Sequence, residues 1–162
     1  MVPMKQLTTY VELAAWPLIV AGFGHALLVL PDIVTHGLFS PPDERVRHAM
    51  ETSSIVFLDL FRGSGSIWKA YVGFNVSHGV GIGFFGLINL LIARSEPELF
   101  FRLPALLRLN TAVCAILFAS SLVFWFYAPA ILTGWSLACC VLALRGVRSS
   151  PRSQAPALRG AT

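Results

Sequence analysis

The chain has 162 residues, of which 56% are hydrophobic and only 12% are charged, and its mean hydropathy is +0.71. A water-soluble domain of this length needs more charge on its surface, so the composition argues for a membrane protein. The formal net charge of +4 comes from residues that lie between apolar segments rather than in one basic patch. This distribution argues against nucleic-acid binding.

The first long apolar segment covers residues 11–30, after a short polar leader, and ends at Pro31 and Asp32. A hydrocarbon core about 30 Å thick is crossed by a helix of about 20 apolar residues, so this segment predicts a first membrane span. A signal peptide is the competing interpretation. Its apolar region would be too long, however, and no convincing small-x-small cleavage site follows.

Residues 31–66 form a connection that is too long for a plain loop in a compact protein. The sequence Ser40-Pro41-Pro42-Asp43 is typical of a helix start. Apolar residues then recur at helical spacing, and they are Val46, Met50, Phe57, Leu60 and Phe61. We therefore expect an amphipathic helix over residues 43–61, on the membrane surface or capping the bundle, with Asp59 and Arg62 close enough to pair.

The second span is predicted over residues 68–93, because no Asp, Glu, Lys or Arg lies between Lys69 and Arg94. Its polar side chains share one helical face. Tyr71, Asn75 and His78 are spaced i, i+4, i+7, and Asn89 continues the same stripe. Small residues follow this stripe on both sides, with Gly79, Gly83 and Gly86 on one flank and Gly73, Ser77 and Gly81 on the other. Small residues allow helices to approach closely in a membrane, so we expect neighbouring helices to hide the stripe from lipid.

Two further spans are predicted over residues 106–127 and 129–145, joined by a tight hairpin at residues 128–130. Residues 148–162 lack an apolar period, and we expect a disordered cytoplasmic tail there. The predicted fold class is therefore all-α, a four-helix transmembrane bundle in residues 1–147, with an amphipathic helical outer connection between spans 1 and 2.

Charge distribution predicts the orientation of the four spans. Eight of the 12 Lys and Arg residues lie on the side that holds both termini and the middle loop. The positive-inside rule then places both termini in the cytoplasm, in a multi-pass protein of the bacterial inner membrane. The aromatic residues expected at the outer membrane interface are Trp68, Tyr71, Trp125 and Tyr127.

Two histidines, His25 and His78, lie inside predicted spans, where polar groups are costly and indicate a functional site by default. Facing imidazoles could hold a haem iron or another metal, or relay protons. The structural alternative is that each ring hydrogen-bonds a neighbouring helix and only ties the bundle together. The candidate intramembrane polar site is therefore His25, Tyr71, Asn75 and His78, with Asp59, Arg62 and Asn89 as secondary candidates.

No other motif indicates a reaction. The sequence lacks a P-loop, an HExxH motif, a CxxC motif and a nucleophile–base arrangement. Cys114, Cys139 and Cys140 lie within spans, where small apolar packing is their usual role. His36 and His48 lie near acidic residues of the outer connection, but their irregular spacing favours a solvated face over a metal site.

Two stretches carry a resemblance to a known group. Gly24-His25 lies in the first span, and Gly73-Phe74-Asn75-x-Ser77-His78-Gly79 follows Trp68 in the second. With these residues the chain resembles small uncharacterised bacterial four-helix membrane proteins of the DoxX type. The resemblance implies a helical bundle in a membrane, and it implies no activity, cofactor or site residue. The long outer connection departs from the compact hairpins of such bundles.

Three functions fit these patterns. The leading hypothesis is a helix-packing scaffold or accessory subunit that lies in the lipid bilayer and binds its own copies or a larger membrane protein, because small-residue faces abound and catalytic signatures are missing. The second is a redox or small-molecule protein with haem or metal at His25 and His78. The third is an oligomeric pore or transporter subunit, in which one polar stripe per chain would line a pathway.

Overall fold

The computed structural model describes residues 3–35, 37–54 and 65–148, and all structural statements refer to these ranges. They fold into seven helices: α1 (Met4–Val29), α2 (Asp32–Thr35), α3 (Glu44–Thr52), α4 (Ile67–Ser95), α5 (Leu99–Arg102), α6 (Pro104–Val123) and α7 (Tyr127–Arg148). Four helical segments are long and apolar enough to cross a membrane, namely α1 with α2, α4, α6 and α7. The predicted all-α fold with four spans is confirmed.

Several helix bounds differ from the sequence-based expectation. α1 begins at Met4, seven residues before the predicted start, because Leu7 is fully buried and packing extends the helix beyond the apolar segment. α6 ends at Val123, so the hairpin lies at residues 124–126 rather than 128–130. Pro129 therefore sits in the first turn of α7, where its missing N–H has no intrahelical acceptor to lose.

The outer connection contains less helix than predicted. Asp43 caps α3 by accepting a hydrogen bond from the backbone N–H of Arg45 at 2.8 Å, so the predicted helix start is confirmed. The helix ends at Thr52, however, because Ser53 adopts an extended backbone and Ser54 forms an antiparallel bridge with Ser66. The expected continuation to residue 61 is therefore wrong at residues 53 and 54. Asp59, Arg62 and residues 149–162 of the predicted tail lie outside the described residues, and Arg148 is the last residue of α7.

The described residues form two compact units. The first comprises those of Met1–Ala21 and Gly83–Thr162, and the second comprises those of Gly22–Ile82. In the first unit, the buried core consists of Leu7, Val11, Ala93, Phe100, Leu107, Ala143 and Val147. Hydrogen bonds also join its helices: the Ser136 hydroxyl of α7 donates to the carbonyl of Ala14 in α1 at 2.8 Å.

The second unit contains the end of α1, the start of α4 and the helices between them. Its buried core consists of Val29, Trp68 and Val72, against which Phe39, Met50 and Val76 pack. The carboxylate of Asp32, only 1% exposed, accepts hydrogen bonds from three consecutive backbone N–H groups, those of Gly37, Leu38 and Phe39, at 3.0, 3.2 and 2.6 Å. These bonds hold the backbone of residues 37–39 in place beside the end of α1.

Candidate functional site

The second unit brings three of the four predicted site residues together. α1 presents His25, and α4 presents Tyr71 and Asn75 one helical turn apart. The Nε2 atom of His25 lies 3.2 Å from the Oδ1 atom of Asn75. The amide nitrogen of the same Asn75 donates to the carbonyl of Tyr71 at 2.8 Å. We call His25, Phe39, Tyr71 and Asn75 the polar site.

The hydrogen bonds of Asn75 determine the tautomer of His25. A backbone carbonyl can only accept, so the bond to Tyr71 requires the Asn75 amide nitrogen on that side and turns Oδ1 towards the imidazole. Because Oδ1 can only accept, His25 must carry a proton on Nε2. In a neutral ring the lone pair then lies on Nδ1. The site therefore holds an imidazole whose orientation is set by Asn75.

Phe39 closes one side of this site. Its ring meets the His25 ring edge-on, with the centroids 5.2 Å apart and the planes at 84°. Its carbonyl accepts a hydrogen bond from the Tyr71 hydroxyl at 3.3 Å, and its N–H is bound by the Asp32 carboxylate. Sequence reasoning missed Phe39 and Asp32, although a lone acid directly after an apolar segment was a signal that could have drawn attention to the loop.

His78 is the predicted site residue that the structure places elsewhere. Its side chain is exposed and stacks on Phe74, with centroids 5.8 Å apart and planes at 14°. His25 instead makes its contacts with Asn75 and Phe39. Within residues 3–35, 37–54 and 65–148, no group of three or more His, Cys, Asp or Glu side chains could hold a metal ion.

The two small-residue flanks of α4 have different surroundings. On one flank, Gly79 is buried, and a β-carbon added to it would lie 2.7 Å from the carbonyl oxygen of Gly22. On the other flank, Gly73, Ser77 and Gly81 are exposed, and no described atom comes within 4 Å of a β-carbon added to either glycine. The expectation that helices enclose the stripe is therefore met on one flank only.

Asn89, a secondary candidate, belongs to the first unit and forms a buried pair with Asn110 of α6. The amide of Asn110 donates to Oδ1 of Asn89, whose own amide donates to the Phe85 carbonyl at 2.9 Å. Both side chains are buried, at 7% and 4% exposure, and each supplies a partner to the other. The pair links α4 to α6 and satisfies polar groups that would be costly in an apolar interior.

An ion pair at the end of α4 was also missed. The Nε atom of Arg94 donates to Oε1 of Glu12 at 3.0 Å, and its guanidinium lies 6.0 Å from the ring centroid of Trp16. Glu12 and Arg94 are 82 positions apart in the chain, so their sequence spacing carries no signal. The pair fits the end of a membrane span, where charged groups can reach the headgroups.

Comparisons with known proteins assign no family to this chain. No family profile, curated protein or solved structure matches it. What the chain does is therefore inferred from its own residues and their contacts.

Proposed function

We propose that this chain is a small multi-pass membrane scaffold that binds another membrane helix through an exposed face of α4. This face consists of Gly73, Ser77 and Gly81, spaced four residues apart, and we call it the open glycine face. It carries the proposal because small residues at this spacing let two helix backbones approach closely in lipid, where dispersion contacts drive association.

The opposite flank of α4 illustrates what such a face does. Gly79 packs so closely on α1 that an added β-carbon would lie 2.9 Å from the backbone nitrogen of Ala26. In the first unit, a β-carbon on Gly86 would lie 2.9 Å from the carbonyl oxygen of Ala15. The open glycine face also consists of small residues, which lie four positions apart, whereas Gly79 and Gly86 are seven positions apart. A partner helix would therefore find a surface of the kind that α4 already uses for α1.

His78 supports a protein partner over lipid on this side of the helix. It lies three residues before Gly81, and is therefore its neighbour on the helix surface; it is exposed and lies in the middle of a segment long enough to span a bilayer. An imidazole that faces hydrocarbon leaves its N–H without an acceptor, and intramembrane polar groups of this kind usually face protein or water. A docked helix that supplies a hydroxyl or carbonyl acceptor would remove that cost.

The proposed partner is another copy of the chain or a larger membrane protein. The proposed location is the bacterial inner membrane with both termini in the cytoplasm, supported by the excess of Lys and Arg on that side. Membership of the DoxX-type group remains a prediction. The scaffold role is supported by the two flanks of α4, one with packed glycines and the other with exposed glycines, rather than by the resemblance.

Leucine substitutions on the open glycine face test this proposal. A photo-crosslinking amino acid at Ser77 should trap a partner in native membranes, and Gly73→Leu with Gly81→Leu should abolish the cross-link while thermal stability in detergent is retained. Gly24→Leu is the matched control, because no described atom lies within 4 Å of its added β-carbon either, but it belongs to α1. An unchanged cross-link in the double variant, or equal loss in the control, would reject the open glycine face as the docking surface.

A ligand site at His25 is the second candidate function, and the fixed tautomer favours it. Asn75 occupies Nε2 and leaves the Nδ1 lone pair for a metal, a haem iron or a proton. Purified protein should then contain metal, or absorb visible light as haem does, and His25→Leu should abolish that signal while His78→Leu retains it. A colourless, metal-free preparation would reject the haem and metal forms of this hypothesis.

A further inference from the structure

The hairpin between α6 and α7 carries four consecutive exposed aromatic residues. Phe124, Trp125, Phe126 and Tyr127 are 65%, 74%, 59% and 69% exposed. Aromatic side chains normally bury a large apolar area, so four neighbours left uncovered by the protein indicate a surface that something else covers. We call these four residues the aromatic tip.

The backbone of the tip adopts a conformation that its sequence disfavours. α6 ends in a Schellman motif, in which the N–H of Phe126 donates to the carbonyl of Ser121 at 2.8 Å and the N–H of Trp125 donates to that of Leu122 at 3.3 Å. This motif requires a positive φ at Trp125, which is 60°. Glycine is the usual residue at this position, because a β-carbon is strained there. A tryptophan kept at the position that favours glycine suggests that its side chain serves a purpose outside the fold.

The four rings are arranged as two pairs. Phe124 and Phe126 have their centroids 6.4 Å apart, and Trp125 and Tyr127 have theirs 6.3 Å apart with planes at 88°. The first pair is entirely hydrocarbon, whereas the second carries an indole N–H and a phenol hydroxyl. One pair thus suits acyl chains, and the other suits the boundary where a ring can be half apolar and half hydrogen-bonded.

The surrounding hairpin points to lipid as the occupant. Residues 109–144 contain no Asp, Glu, Lys, Arg or His. α6 has 20 residues, so at 1.5 Å per residue it is about 30 Å long, the thickness of the hydrocarbon core. We propose that the aromatic tip is inserted at the boundary between headgroups and acyl chains, and that it anchors the α6–α7 hairpin at a fixed depth. This inference requires membrane insertion but not the scaffold role.

The two other aromatic residues predicted for the same interface have contacts within the second unit. Trp68 is only 4% exposed and belongs to the core of the second unit. The hydroxyl of Tyr71 donates to the carbonyl of Phe39. In contrast, each of the four residues of the aromatic tip is more than half exposed. All four side chains of the tip therefore have surface available to lipid.

Fluorescence of the full chain in phosphatidylcholine vesicles tests the anchor. The emission of Trp125 is obtained by subtracting the spectrum of Trp125→Phe from that of the native protein. The emission of Trp135, obtained in the same way with Trp135→Phe, is the control for a deeper position in the membrane. Trp135 lies eight residues after the start of α7, or about 12 Å further along the helix. Trp125 emission should be quenched more by lipids brominated near the headgroup than by lipids brominated near the chain end, and Trp135 should show the reverse.

Two outcomes would overturn the proposal. Strong quenching of Trp125 by aqueous acrylamide, with red-shifted emission, would place the tip in water. Insensitivity of Trp125 to both acrylamide and brominated lipid would place it against another protein surface. If Trp135 shows the expected quenching by deep bromines, the hairpin is inserted, so either result would contradict the anchor itself rather than insertion.

Discussion

Gly79 of α4 lies against Gly22 of α1 so closely that a β-carbon on Gly79 would be 2.7 Å from the Gly22 carbonyl oxygen. The β-carbons of real side chains do not approach backbone atoms to this distance. The close atoms belong to the backbones of α1 and α4, so a single residue cannot move aside without moving its helix. This contact explains why residue 79 is glycine, and it leads directly to a substitution test.

Gly79→Ala should destabilise the protein by about 1–3 kcal/mol, the usual cost of overpacking a tight contact. Gly73→Ala, on the same helix, should leave stability unchanged or raise it slightly, because its added methyl meets open space. Unfolding in mixed detergent micelles, followed by circular dichroism, measures both. Equal effects of the two substitutions would show that the close α1–α4 contact does not form.

The buried Asn89–Asn110 pair predicts measurable coupling between α4 and α6. Either Asn89→Leu or Asn110→Leu leaves the remaining amide with an unmatched polar group, whereas the double variant removes both. The double-mutant cycle should give a coupling energy of about 0.6 kcal/mol, and at most about 1.7 kcal/mol, as found for interhelical bonds in membranes. Strictly additive effects in the same unfolding assay would contradict the pair.

The hydrogen bonds of Asp32 are expected to keep residues 37–39, which include Phe39 of the polar site, in a fixed conformation. Asp32→Ala removes the acceptor of three backbone N–H groups, each bond to a charged group being worth about 1.5–3 kcal/mol when buried. Hydrogen exchange of the amides of Gly37, Leu38 and Phe39 should accelerate sharply. Asp43→Ala is the control, since Asp43 is an exposed cap and its loss should affect α3 alone. Loop protection that survives Asp32→Ala would contradict this role.

The tautomer of His25 is a spectroscopic prediction. With ¹⁵N-labelled histidine, His25 at neutral charge should show a proton on Nε2 and a bare Nδ1, because Asn75 Oδ1 accepts from Nε2. Asn75→Leu should remove this preference, while the spectrum of His78, which stacks on Phe74, should be unaffected. A native His25 protonated on Nδ1 would show that the Asn75 amide is turned the other way.

The sequence predicted the helical content well and the helix ends less well. Four apolar stretches of span length contain few charged residues, and in lipid the backbone there has no hydrogen-bond partner but itself, so helices follow from composition. Helix ends depend on packing and on turn geometry. Leu7 extends α1 because it is buried, and the Schellman turn at Trp125 ends α6 although no glycine marks the position.

The candidate site was predictable only in part. The spacing of Tyr71, Asn75 and His78 placed them on one face of α4, and that much needs only helical geometry. Which of them meets His25 depends on the rotation and contact of two helices. The structure joins His25 to Asn75, leaves His78 exposed beside Phe74, and adds Phe39 from a loop whose position no periodicity encodes.

By itself, the sequence determined that four stretches are apolar enough for lipid and that their polar and small residues fall into stripes, because hydropathy and helical period are local properties. The tertiary structure alone decided which stripe is packed and which is open. The sequence places Gly79 and Gly73 on opposite flanks of one helix, but it does not tell which flank is packed. The backbone of α1 lies against Gly79, and no described atom lies close to a β-carbon added to Gly73. Contact between helices is a property of distant segments, which no local pattern contains.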